Sequence, residues 1–147
     1  MSNQIKIRDM KPEDIKEVHY LGSGEQEFEV VDGEERFWKV GVLEDWVASE
    51  DDIALVAGNE KELAGFILVA YHPVTRKATF ENAYVKPQYR NLFTAVKMYK
   101  EAESRLKEKE ADFICGFIET ENKASIKFLE RCGYNTGKQY HWMNKFL

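Results

Sequence analysis

Between Tyr84 and Ala95 the chain reads Tyr-Val-Lys-Pro-Gln-Tyr-Arg-Asn-Leu-Phe-Thr-Ala: a strand end, a proline-marked turn and a helix opening. The first backbone N–H groups of a helix have no partner inside it and point past its end, where the helix dipole adds a mild positive potential. Such a corner suits phosphates, and Arg90 stands beside it. On pattern alone it is either an anion site or an ordinary strand–turn–helix junction that binds nothing. A second stretch, Asn122 to Tyr134, reads as an amphipathic helix over about 122–132 that carries Ile126, Leu129 and Cys132, with Gly133 as its C-terminal cap. The other reactive side chains are scattered. His19, His72 and His141 lie far apart, none with Cys or Asp at ligand spacing, so no metal site is expected. Cys115 and Cys132 form no paired motif and read as small packed hydrophobes. Phosphate-loop, dinucleotide and nucleophile-elbow signatures are absent.

The elements that hold these residues follow from periodicity and turn signals. Residues 4–9 read as a first strand, and Lys11-Pro12-Glu13-Asp14 opens a helix whose stripe is Ile15, Val18 and Leu21, broken by Gly22-Ser23-Gly24. A second helix is predicted over about 34–48. Strands follow at 53–57, 63–71 and 78–85, the first two joined by the turn Gly58-Asn59-Glu60-Lys61. Arg90–Lys109 reads as the longest helix. Residues 113–118 are nearly all apolar, as expected for a strand covered on both faces. A last strand or pair is expected over Tyr134–Leu147. The order β-α-α-β-β-β-α-β-α-β-β describes a mixed α/β (α+β) sheet rather than a Rossmann alternation.

Composition sets the outer bounds. The chain has 147 residues, 44% of them apolar, the size of one ordinary domain, and it needs no disulfide or metal to stabilise it. Its net charge of −5 has the wrong sign for a general nucleic-acid binder. The longest apolar run, Leu63 to Tyr71, is half the length of a membrane span, and the N-terminus has no signal-peptide core. A reduced cytoplasmic protein is expected, with no nucleic-acid or membrane partner. Charge is unevenly spread: from Glu25 to Asp52 eleven acids face two bases, Arg36 and Lys39, a local −9. That stretch is either a solvated face or an acidic wall attracting cationic amines. Phe28, Phe37, Trp38 and Trp46 are interleaved there as core residues or pocket walls.

Together the two stretches resemble the motifs of the GNAT superfamily of acetyl-CoA-dependent N-acyltransferases. The first matches V-x-P-x-x-R-x-x-G-x-[GA] at Val85, Pro87, Arg90 and Ala95. The second matches the family's later motif at Asn122, Ser125, Phe128, Glu130, Arg131, Gly133 and Tyr134. The ends, Ile5 to Asp14 and Met143-x-Lys145, are also similar, so the resemblance covers residues 1–147 as a single domain. It implies a mostly antiparallel central sheet flanked by helices. It further implies that the strand ending at Val85 splays from the strand at 112–118, with the pantetheine arm in the gap. The backbone of Ala83, Tyr84 and Val85 would pair with that arm. Arg90, Asn91, Leu92, Phe93, Thr94 and Ala95 would cradle the pyrophosphate, and Asn122 would contact pantetheine.

Two departures bear on the chemistry. The first motif glycine falls on Phe93; CoA binding there implies that its ring turns toward the core, and an outward ring implies weaker or displaced CoA. The family's usual Tyr, the proton donor to the leaving thiolate, falls on Leu129; water, Tyr134 or Tyr140 could substitute. Phe117 stands where bacterial N-terminal protein acetylases carry a base, which argues against that subclass. Glu81, four residues before Val85, is the candidate general base, or else faces solvent on a half-exposed strand; Glu119 is a second choice. The resemblance thus implies acetyl transfer to a primary amine of a small cationic molecule, peptide or lysine, by a protein that could act as a homodimer. The alternative is a weak or inactive CoA-binding sensor or interaction module.

Overall fold

The computed structural model describes residues 4–25, 28 and 37–147, in two compact units, Met1–Phe117 and Ile118–Leu147. In the first unit β1 (Lys6–Asp9) leads through a 3-10 turn (Pro12–Asp14) into α1 (Ile15–Ser23). Then come α2 (Val40–Ala48), β2 (Ile53–Gly58), β3 (Leu63–His72), β4 (Lys77–Val85), a 3-10 turn (Pro87–Leu92), α3 (Thr94–Glu108) and β5 (Phe113–Gly116). The sheet order is β1-β2-β3-β4-β5, antiparallel throughout except for the parallel β4–β5 pair. This is the mixed, mostly antiparallel architecture expected from the sequence.

Alternation explains the layers, because successive strand residues point to opposite faces. On one face Ala54, Val56, Phe66 and Leu68 pack with Ile15 and Val18 of α1, Leu43 of α2 and Phe37. Phe37 reaches that core because residue 22 is glycine: a Cβ on Gly22 would stand 2.4 Å from the Phe37 ring. On the other face α3 lies over β2, β3 and β4 and buries Thr94, Met98, Ala102 and Leu106, at steps of four along one side. The entry into α1 is fixed by Asp14, which accepts two hydrogen bonds from Arg8 (2.7 and 3.0 Å) and one from the Lys11 N–H (2.8 Å). Burial opposes ionisation of Asp14, yet the Arg8 and Lys11 hydrogen bonds outweigh it and hold the carboxyl below its usual range.

In the second unit α4 (Lys123–Arg131) is closed at both ends. Asn122 Oδ1 accepts from the Ser125 N–H at 3.2 Å, an N-cap. Gly133 takes the left-handed conformation (φ 94°), and the Tyr134 N–H returns to the Leu129 carbonyl at 3.0 Å, as the expected glycine cap requires.

Several expectations are corrected. Residues 34–36 of the second predicted helix lie outside the described residues, and α2 starts at Val40. The long helix expected from Arg90 is interrupted by Phe93 at φ 57°, so α3 proper begins at Thr94. The strand at 113–118 is shorter and is not covered on both faces: Phe113 is 55% exposed, because α3 lies over β2–β4. No strand forms over residues 134–147, which are exposed after Tyr134. Asn135, Gly137 and Lys138 are poor strand formers.

Candidate active site

The site residues expected from the sequence, Asn122 apart, fall on two consecutive features of the first unit: the second half of β4 and the corner that follows it. Asn122 is the α4 cap in the other unit.

In β4, Lys77 to Phe80 pair in parallel with Phe113 to Gly116, and there that ladder stops. Among the described residues, Asn82 to Val85 have a strand partner only on the β3 side, and Glu81 has none. On the other side no strand among the described residues pairs with them, and the Val85 carbonyl accepts from Arg90 Nε. On the β3 side Leu68 opposes Asn82 and Val69 opposes Phe80, so Glu81 is the extra residue of a β-bulge. Bulges re-aim a side chain and often stand beside sites. Glu81 is exposed, yet surrounding protein desolvates its carboxylate enough to raise its pKa above the ordinary carboxylate range. Next to it Asn82 is buried and accepts a 2.7 Å hydrogen bond from Trp38 Nε1. Tyr84 packs on Phe66 with ring centres 5.9 Å apart. This half of the strand is tight on its paired side: a Cβ on Gly65 would come within 2.3 Å of the Tyr84 carbonyl oxygen.

The corner is bolted to the sheet from within. The Lys86 N–H donates to the Ala64 carbonyl (2.8 Å), Arg90 Nε to the Val85 carbonyl (2.9 Å) and Thr94 Oγ1 to the Tyr89 carbonyl (3.1 Å). The Arg90 guanidinium also lies 6.0 Å from the centre of the Tyr84 ring. Asn91 and Leu92 complete the 3-10 turn, and α3 opens with Thr94 and Ala95 without a capping side chain and without an acid in its first turn. Its positive end is thus neither capped nor neutralised by its own sequence, as an anion site requires.

Phe93 does not turn inward as expected. It is 71% exposed, because the left-handed backbone that glycine normally supplies swings its side chain away from the core. Of the interleaved aromatic residues, Phe37 is core, while Phe28, Trp38 and Trp46 pack against it partly buried. Trp46 Nε1 donates to the Ile53 and Val69 carbonyls at 3.2 Å each. Residues 26–27 and 29–36, which carry five of the eleven acids of that stretch, lie outside the described residues. A cavity of about 210 Å³ opens elsewhere, beside Asp9, Trp46, Asp52 and Arg105. Its two cations are already engaged: Arg105 pairs with Asp9 and Glu101, and Lys109 Nζ donates to the Glu50 carbonyl. The described residues contain no group of His, Cys, Asp and Glu able to hold a metal, and no helix among them is long and apolar enough to cross a membrane. Sequence reasoning missed Asn82, Lys86, Tyr89 and Glu62. Only the polar Asn82 between apolar strand positions could have signalled a buried hydrogen bond.

Comparison with known proteins points the same way. The sequence matches the profile of the Acetyltransferase (GNAT) family over residues 20–134. No curated protein matches it significantly. Among solved structures, aminoglycoside N-acetyltransferase AAC(6')-Iy in complex with CoA aligns over 99% of this chain and 97% of its own, at 16% identity and a TM-score of 0.78. The ribosomal-protein-S18-alanine N-acetyltransferase from Escherichia coli aligns over 92% and 80%, at 15% identity and 0.72. The PaiA N-acetyltransferase from Thermoplasma acidophilum in complex with coenzyme A aligns over 93% of each chain, at 19% identity and 0.73. At such identities the likeness is one of fold.

Proposed function

The chain belongs to the GNAT family of N-acetyltransferases, and from that premise we propose that it transfers an acetyl group from acetyl-CoA directly to a primary amine. The observation that carries this reading is the open edge of β4 over Glu81–Val85, which runs into an uncapped, unneutralised helix start. The family profile crosses the boundary between the two units, which supports their acting as one domain.

In this reading, backbone groups of Ala83, Tyr84 and Val85 pair with the pantetheine arm, and one N–H donates to the thioester carbonyl oxygen. Such a donor is commonly worth ~3–4 kcal/mol in acyl transfer. The amides of residues 91–95 hold the pyrophosphate with Arg90 alongside, and Asn122 supplies its amide to the arm. A protonated amine of pKa ~10.4 cannot attack, so Glu81 takes its proton through water. The raised affinity of Glu81 for a proton makes it a better base than an ordinary carboxylate. The amine nitrogen then bonds to the carbonyl carbon and sheds its remaining extra proton to water as the C–S bond breaks and the sulfur leaves with its electron pair. With leucine at 129, water supplies the sulfur's proton, and a thiol pKa of ~8.5 makes that tolerable.

The acceptor is a small cationic molecule, a peptide or a lysine, met in the cytoplasm. The exposed acids Glu44, Asp45, Glu50 and Asp51 support a cationic acceptor, as does the aminoglycoside activity named for one structural neighbour. Release of thiol from acetyl-CoA with a panel of polyamines, aminoglycosides and lysine peptides tests the reading, alongside calorimetric titration with CoA. A second reading, a CoA-binding module without transferase activity, draws on the exposed ring of Phe93 and on Leu129. CoA binding without turnover on any amine would favour it.

A further inference from the structure

Lys86 is the first residue after β4, and its side chain is only 14% exposed. Its Nζ pairs with Glu17 Oε1 of α1 at 2.9 Å and with Glu62 Oε2, just before β3, at 3.1 Å. The other oxygen of Glu62 accepts a 2.6 Å hydrogen bond from the Tyr89 hydroxyl. One carboxylate therefore grips the corner twice, at its first residue and again three residues later. From Tyr89 the linkage continues inward, since its carbonyl accepts the hydroxyl of fully buried Thr94, the first residue of α3. Glu62 is itself anchored. Asn59 Oδ1 accepts the N–H groups of Lys61 and Glu62 (2.9 and 3.1 Å), and the Glu62 carbonyl accepts the Asn59 N–H (3.1 Å). The Tyr89 hydroxyl and then Lys86 hold the Glu62 carboxyl below its ordinary range. Among the described residues, by contrast, Glu17 meets the corner through Lys86 alone.

We propose that Glu62, acting through Tyr89 and Lys86, is a positioning residue that fixes the β4–α3 corner in the orientation that receives the diphosphate of CoA, and that the arm to Glu17 does not share this role. The inference rests on the corner being the CoA site. A binding constellation needs its groups held to within about half an ångström by a supporting shell. The β2–β3 turn supplies that shell through one carboxylate.

The two arms make the idea testable. CoA is titrated calorimetrically into the full chain and into Tyr89→Phe, Glu62→Gln and Glu17→Gln, with the melting temperature of each recorded. Tyr89→Phe and Glu62→Gln weaken CoA binding about five-fold, the scale of one charge-assisted hydrogen bond discounted for exposure. Glu17→Gln, which removes the shorter of the two Lys86 pairs, leaves CoA affinity within about two-fold even if its melting temperature falls as far. The proposal is overturned if Tyr89→Phe and Glu62→Gln bind CoA as the wild type does, or if Glu17→Gln weakens binding equally. Should Glu62→Gln fail to fold, Tyr89→Phe decides by itself, since it removes a single oxygen. A wild-type chain that does not bind CoA defeats the donor-site reading instead, before any variant is compared.

Discussion

The two halves of β4 share one strand and differ in what borders them. Lys77–Phe80 is laddered on both sides, to β3 and to β5. Glu81–Val85 is laddered, among the described residues, only to β3 through Asn82–Val85, and carries the bulge at Glu81, the buried Asn82 and the last strand residue before the corner. The first half satisfies its backbone internally and can only support the sheet. The second half offers peptide groups to something outside the sheet, which a sheet interior rarely does. Placing such an edge beside a helix start puts hydrogen bonding for an extended arm next to charge complementarity for a phosphate.

The halves can be set against each other by mutation. Gly65→Ala has the largest expected effect on the fold, because its methyl would meet the Tyr84 carbonyl at 2.3 Å and force the open half away from β3. A loss of about 2–4 kcal/mol in urea denaturation is expected, with CoA affinity lost alongside. Stability within about 0.5 kcal/mol of wild type would show that this half is not held as tightly as described. Glu81→Gln is expected to lower kcat/KM about 100-fold at neutral pH while the fold persists. The wild-type rate should fall with acidification through a pKa above the usual ~4.3, since a protonated carboxyl cannot accept the amine's proton. The sign for stability is the opposite for this group: a raised folded pKa makes protonation of Glu81 favour the folded state, so Glu81 itself does not drive acid unfolding. A full rate in Glu81→Gln across pH 6–9 would remove the base.

Phe93→Gly tests the corner rather than the strand. Relieving a left-handed non-glycine backbone should raise stability by about 1 kcal/mol. The substitution also restores the family residue and should tighten CoA binding; weaker binding would show that the ring contributes contacts. Smallest is Gly116→Ala, where the doubly laddered half ends. Its methyl would meet Phe80 Cβ at 3.3 Å, a contact that yields by a few tenths of an ångström. A change of no more than about 1 kcal/mol is expected, with CoA binding intact. A collapse matching that of Gly65→Ala would erase the contrast between the halves.

Much of this was legible in the sequence. The β2–β4 meander, the α3 stripe and the Gly133 cap announced themselves through alternation, four-residue steps and a glycine after an apolar helix. The corner was legible because Pro87 and the motif spacing mark it. What periodicity does not carry is what lies beside an element. The apolar run at 113–118 reads the same whether or not a helix covers it, and Phe113 is exposed. Residues 134–147 hold enough aromatic residues to suggest strands, but pairing requires a neighbour that composition cannot name. Phe93 was misjudged because helical spacing was assumed through a residue whose backbone leaves the helix. The Lys86–Glu62–Tyr89 cluster joins positions 24 and 27 residues apart, and no local pattern records such a link.

A strand left half-unzipped is also a hazard to its owner. Bare peptide groups along a sheet margin are templates on which another molecule can lay a strand, and proteins commonly guard such margins with a bulge or a charged side chain. Glu81 is both at once. Variants that neutralise it should therefore clump more readily on storage, and saturating CoA should suppress that by occupying the vulnerable seam and raising the melting temperature through mass action.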